Sequence, residues 1–263
     1  NCSNIGANAV TLTVTDVNSN TSTCTATVTV VDSTSPTVVC QNVTVQLNTS
    51  GNASITVAAI DGGRSDNCSL SSLTASQTSF TCSNVGNNNV TLTATDPTGN
   101  TSSCTAIVTV EDNIAPTAIC RDITVALDGS GSATITASDI NNGSSDNCGL
   151  AGISVAPSSF NCSNVGANTV TLTVTDVNGN TSACTATVTV EDNTSPTAVC
   201  QDVTVQLDGA GQASITVADI NNGSSDNCGI ASATISSSSF DCSNVGANAV
   251  TLTITDVNGN VST

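Results

Sequence analysis

No histidine, lysine, tryptophan, tyrosine or methionine occurs in the 263 residues, which hold only three phenylalanines and two arginines. Each absence removes a class of function. Without histidine there is no Ser-His-Asp or Cys-His nucleophile pair and no imidazole metal ligand. With Arg64 and Arg121 as the only cationic side chains, there is no phosphate cradle and no basic groove for nucleic acid. Without Trp or Tyr there is no stacking platform for bases or sugars. No apolar run reaches the length of a membrane span, so this segment is not expected to insert in a membrane. No secretory leader is visible, and the chain starts in the middle of a repeat. These absences argue against an enzyme.

What is present is small, polar and acidic: Thr, Ser, Asn, Val and Ala, with 20 acids and a formal net charge of −18. Such a surface repels nucleic acid and anionic membrane and attracts cations. Hard oxygen ligands favour calcium.

A repeat organises the rest. The first 23 residues, NCSNIGANAVTLTVTDVNSNTST, recur as DCSNVGANAVTLTITDVNGNVST at the end, offset by 240 residues, or three periods of 80. All 13 cysteines obey that period: Cys2, Cys82, Cys162 and Cys242; Cys24, Cys104 and Cys184; Cys40, Cys120 and Cys200; Cys68, Cys148 and Cys228. Phe80, Phe160 and Phe240 do so too. The chain therefore reads as a window on a longer tandem array, and its odd cysteine count as a product of that window. Proline-bearing joints at 31–36 (VDSTSP), 111–116 (EDNIAP) and 191–196 (EDNTSP) mark the boundaries. The expected domains are 1–32 (the end of a repeat), 33–112, 113–192, and 193–263 (lacking its last strand).

Within 113–192, alternation predicts strands at 123–125, 133–136, 153–155, 169–176 and 185–190, with turns at 128–131 and 177–180. Val170, Leu172 and Val174 fall on one face of their strand, as do Ala186, Val188 and Val190 on theirs. No stretch shows helical periodicity. The expected fold is all-β: tandem immunoglobulin-like β-sandwich domains of 80-residue period forming an elongated rod. A β-solenoid would repeat at far shorter spacing.

The segments PTAIC (116–120), SDNC (145–148) and TVTLTVTDVNGNTSACTATVTV (169–190) resemble the HYR-type immunoglobulin-like repeat. That repeat is found in giant cell-surface adhesins of Bacteroidota, including gliding-motility adhesins. The resemblance covers every period. It departs from the family in its scarcity of aromatics and in the cysteine at Cys162. It implies a surface stalk or adhesive filament and names no ligand.

Four cysteines per period without C-x₂-C knuckles point to disulfides rather than a zinc site, and hence to an oxidising, extracellular or cell-surface location. In the immunoglobulin arrangement the first and last strands begin at the same end and can lie side by side. That pairs Cys120 with Cys184 and, one period earlier, Cys40 with Cys104. It leaves Cys148 for Cys162 and Cys68 for Cys82.

The same topology gathers acids at the joints: Glu111, Asp112, Asp139, Asp146 and Asp176 at one, Glu191, Asp192, Asp219, Asp226 and Asp256 at the next. Converging carboxylates repel one another unless water or a cation intervenes, and calcium at each joint would resolve this. Asp-Val-Asn-Gly-Asn is equally good turn chemistry in its own right; both readings stand at this point. The expected function is a structural stalk or filament segment of a large extracellular repetitive adhesin, transmitting force and projecting an adhesive tip. The alternative is that each repeat is itself a glycan- or protein-binding module. Expected partners are neighbouring repeats, self-association into fibres, or surface glycans.

Overall fold

Threonine and valine alternate in the long strand segments, and a β-branched alternation with one apolar face is the pattern a half-buried strand requires. The computed structural model describes all residues 1–263 and separates into two compact units, Asn1–Ile114 and Ala115–Thr263.

The first unit opens with a hairpin of β1 (Gly6–Thr15) and β2 (Thr21–Val30). Next come β3 (Thr37–Cys40), β4 (Val43–Gln46), β5 (Asn52–Ser54), β6 (Asp61–Ser65), β7 (Ser72–Ala75), β8 (Ser79–Thr81), β9 (Gly86–Thr95) and β10 (Thr101–Glu111). They form a four-stranded sheet in the order β4-β10-β9-β7 and the pairs β3-β6 and β5-β8.

The second unit repeats the plan. It contains β11 (Ile123–Ala126), β12 (Ser132–Thr134), the helical turn α1 (Ala137–Ile140), β13 (Leu150–Ala156), β14 (Ser159–Asn161), β15 (Gly166–Asp176) and β16 (Thr181–Glu191). Their four-stranded sheet runs β11-β16-β15-β13, and β12 pairs with β14. Beyond the 191–196 linker come β17 (Gln212–Ser214), α2 (Val217–Ile220), β18 (Ile230–Ile235), β19 (Ser239–Asp241), β20 (Leu252–Asp256) and β21 (Val261–Ser262). The architecture is all-β, built of immunoglobulin-like sandwiches in tandem.

Two features of the sheet position the sites. First, β11 lies parallel to β16, with Ile123 opposite Val188. The opening and closing strands of the sandwich are therefore neighbours, as the immunoglobulin topology demands. Second, β15 and β16 form a long antiparallel hairpin closed at Asp176–Asn180, with Gly179 at a φ of 95°, where a side chain would be strained. One end of every sandwich is thus a tight aspartate-capped turn.

The core is thin. Val170, Leu172, Val174 and Val188 are fully buried, and Ile135, Ile140 and Phe160 pack with them in one cluster. Threonines cover the other face of β15. Phe160 is the one aromatic in that cluster, so little area is buried per side chain.

One-turn helices replace part of the expected loop: α1 and α2 follow Thr136 and Thr216. Four residues are too few to display a helical period. Their signal is local, a Thr-x-x-Asp capping box in which Asp139 and Asp219 accept from the backbone N–H and hydroxyl of Thr136 and Thr216.

Leu172→Ala should destabilise the sandwich around β15 by about 2–5 kcal/mol, whereas Thr171→Ala on the exposed face should change it by less than about 0.5 kcal/mol. Urea unfolding combined with amide exchange in β15 and β16 measures both. Equal losses would mean that the strand's two faces are not distinguished by burial.

Candidate functional site

The bonded cysteines fall into two kinds. Cys40–Cys104 and Cys120–Cys184 are separated by 64 residues, with Cα atoms 5.7 and 5.9 Å apart. Cys184 lies opposite Leu172 inside the long hairpin, and Cys120 shortly precedes the strand that runs parallel to β16. Each such bond ties the first strand of a sandwich to its last.

The second kind corrects the pairing expected from topology. Cys162 bonds Cys228, not Cys148, and Cys68 bonds Cys2, not Cys82; both separations are 66 residues and both Cα distances are 5.3 Å. The reason is geometric. Leu150 pairs with Asp176, and the carbonyl of Gly149 accepts from Val177, so Cys148 sits at the turn end of β15. Cys162 precedes Gly166 at the other end of that 11-residue strand. At ~3.4 Å per residue those ends are roughly 30 Å apart, and a disulfide needs Cα atoms within about 7 Å. The Cys162–Cys228 bond instead crosses the 191–196 linker and staples the sandwich before the linker to the repeat after it. Cys82 and Cys148 are also disulfide-bonded. Cys24, Cys200 and Cys242 are free and exposed.

Beside the Cys162–Cys228 staple, Asp192, Asp226 and Asp256 converge, with one carboxylate oxygen of each within 4.8 Å of the others. Asp192 comes from the linker, Asp226 from the SDNC loop and Asp256 from the hairpin turn. Asp192 and Asp256 are buried, at 6% and 1% exposure. Asp256 Oδ1 accepts from the backbone N–H groups of Asn258 and Asn260 at 2.9 and 2.8 Å, and its Oδ2 from Asn260 Nδ2 at 2.8 Å. Burial alone would raise this carboxyl, but the hydrogen bonds from Asn260, Asn258 and Gly259 outweigh it and hold the group below the usual carboxylate range. Asp226 Oδ2 accepts from the N–H groups of Cys228 and Gly229, and Asp192 Oδ1 from Thr194 N–H and Asn227 Nδ2. The other oxygens, Asp192 Oδ2 and Asp226 Oδ1, are buried without a hydrogen-bond partner, as is Asn227 Oδ1.

The first unit holds a counterpart. Asp32, Asp66 and Asp96 converge in the same way beside Cys2–Cys68. Asp96 is locked by Thr98 and Asn100, and Asp32 Oδ2 and Asp66 Oδ1 are again buried without partners.

The cap aspartates and the glutamates are placed differently. Asp139 and Asp219 are spent on their helix caps, where the Thr136 and Thr216 hydroxyls lead the backbone bonds in lowering both carboxyls. Neither belongs to a cluster. Glu111 accepts from Gln46 and Asn113, and Glu191 is exposed and accepts from Asn193. Longer glutamate side chains at the start of the linker point to such polar neighbours, and neither joins a carboxylate group. Asp112, Asp146 and Asp176 make the local bonds of their repeat equivalents, to Ile114 N–H, Cys148 N–H and the Asn178–Asn180 turn.

Sequence reasoning missed the asparagines. Asn260 Nδ2 also donates to the carbonyls of Asp192 and Thr194 at 3.0 and 3.3 Å, fastening the hairpin turn to the linker. Asn100 does the same for Asp32 and Thr34. The signal was the final Asn of each Asp-x-x-Gly-Asn turn, whose side chain both closes the turn on its aspartate and reaches the linker. Asn260→Ala should cost about 1–3 kcal/mol, the penalty for buried acceptors left unsatisfied, with far-ultraviolet dichroism unchanged. A thermal melt within error of the parent would remove the fastening role.

Residues 31–110 match the HYR domain family. The chain is similar to solved extracellular cadherin domains 1–4 of protocadherin gamma B7, at 14% identity and a TM-score of 0.34, covering 99% of this chain and 82% of that one. For domains EC3–6 of the protocadherin gammaB7 cis-dimer the values are 16% identity and 0.33, with 98% and 83% covered. For EC1–2 of human mucin-like protocadherin they are 15% and 0.30, with 60% and 98% covered. No curated protein matches the chain.

Proposed function

We propose, starting from residues 31–110 as a HYR domain, that this chain is a non-enzymatic, force-transmitting stalk segment of a large repetitive extracellular adhesin. The surface adhesins of Bacteroidota that its repeats resemble are the model for the whole. The observation that carries the proposal is the bond between first and last strand, Cys120–Cys184, lying beside the parallel pairing of β11 with β16. Tension entering at the first strand passes through sulfur to the last strand, so the enclosed sequence is not drawn out while the bond holds. Cys40–Cys104 does the same in the first unit. The disulfides support an oxidising, extracellular location. Neighbouring repeats are the partners this reading requires, and calcium is the cation it gives to the aspartate clusters.

Pulling the oxidised chain from its ends should therefore release none of the sequence enclosed by Cys40–Cys104 or Cys120–Cys184. Reduction should expose it, adding roughly 210–230 Å of contour per loop at about 3.3–3.6 Å per residue for a separation of 64 residues. An oxidised chain that extends as far as the reduced one contradicts the force path and the stalk reading with it.

A further inference from the structure

We infer that Asp192, Asp226, Asp256 and Asn227 form a site for one divalent cation of the calcium class, and that the Cys162–Cys228 staple holds this site in shape. The inference rests on the proposed calcium reading of the acid clusters and specifies atoms that reading leaves open. Three buried oxygens at this cluster have no hydrogen-bond partner: Asp192 Oδ2, on a residue only 6% exposed, together with Asp226 Oδ1 and Asn227 Oδ1. A buried carboxylate oxygen without a donor is costly, and the chain's two arginines are engaged elsewhere, Arg64 with Asp61 and Arg121 with the carbonyl of Asp139. The equivalent atoms two periods earlier, Asp32 Oδ2 and Asp66 Oδ1, are left over in the same way. The two aspartate oxygens are left over at both places, which makes them a feature of the repeat.

The donor set suits the ion. Asp192 and Asp226 each keep one oxygen on backbone or side-chain N–H groups, which fixes their orientation, and leave the other without a donor. Carboxylate oxygens within 4.8 Å of one another fit a shell of about 2.3–2.6 Å radius, and carboxylates with one amide oxygen leave room for the waters that complete six to eight ligands. Magnesium requires a tighter octahedron at about 2.0–2.1 Å and loses water reluctantly, so calcium is favoured.

The staple enters through the loop that supplies two of the four ligands. Asp226, Asn227 and Cys228 are consecutive, and the Asn227 carbonyl lies 3.5 Å from Cys162 Sγ. Asn227 Nδ2 also donates to Asp192 Oδ1 and to the carbonyl of Asp128. Cutting the disulfide frees the one anchor that ties this loop to the preceding sandwich by a covalent bond. By reciprocity, an ion that prefers the stapled arrangement stabilises it.

The test is calcium binding to the full oxidised chain by titration calorimetry, with magnesium as the comparison. At least two ions should bind per chain, calcium at least tenfold more tightly than magnesium. Asp66→Asn with Asp226→Asn should lower the stoichiometry by two while leaving the calcium-free melt intact, since the amide oxygen still accepts the backbone bonds. The Cys162→Ser, Cys228→Ser double variant should weaken calcium at the Asp192 cluster by about 10–100-fold, the range for a lost outer-shell support. No binding at millimolar calcium, equal binding of magnesium, or an unchanged stoichiometry in the aspartate variants overturns the site. Unaltered affinity in the serine variant overturns the coupling to the staple. The force path through Cys40–Cys104 and Cys120–Cys184 is measured without calcium, so its failure is read separately.

Discussion

Covalent cross-links stand in for a large core in this chain. Each sandwich is assembled from valine, alanine, leucine and threonine around a single buried phenylalanine, Phe80 or Phe160, and side chains of that size bury little area apiece. A bond closing a 64-residue separation removes denatured-state entropy worth about 4 kcal/mol in the chain-entropy model, comparable with the net stability of a small domain. The bond also fixes topology: with Cys120 held to Cys184, β11 has nowhere to go but beside β16. The linker-crossing bond adds a different constraint. A covalent route from Cys120 to Cys228 runs across one disulfide to Cys184, back along β16 and β15 to Cys162, and across the second. Two attachments, linker and staple, then span the same junction, and the Asn260 and Asn227 side chains fill the space between them with hydrogen bonds.

Much of the fold was legible because it depends on local alternation. The predicted inward set Val170, Leu172, Val174, Ala186, Val188 and Val190 is the buried set of β15 and β16. The parallel neighbourhood of first and last strands was expected from topology alone. The staple was not, because a pairing argued one domain at a time assumes that every cysteine closes within its own sandwich. Cys148 and Cys162 are 14 residues apart in sequence and yet flank the two ends of a long strand, a separation that depends on strand direction. The acid clusters were half legible: Asp192, Asp226 and Asp256 meet, whereas Asp139 and Asp219 are consumed by capping boxes too short to show a helical period.

Pattern also differs from burial. Val10, Leu12 and Val14 of β1 carry the same alternation as Val90, Leu92 and Ala94 of β9, but are 52%, 61% and 60% exposed where the latter are fully buried. In β9 the partners are β7, β10 and the residues packed above them; β1 pairs with β2 alone.

The most direct test of this account is disulfide mapping of the oxidised chain by pepsin digestion and mass spectrometry without reduction. Only two arginines are present, which excludes trypsin, and acid suppresses thiol exchange by protonating the thiolate. Near-identical repeats remain distinguishable, because Cys162 follows Phe160-Asn161 where Cys242 follows Phe240-Asp241, and Cys228 precedes Gly229-Ile230 where Cys148 precedes Gly149-Leu150. The account predicts a peptide containing Cys162 joined to one containing Cys228, alongside Cys120 joined to Cys184. Recovery of Cys162 joined to Cys148 would contradict it.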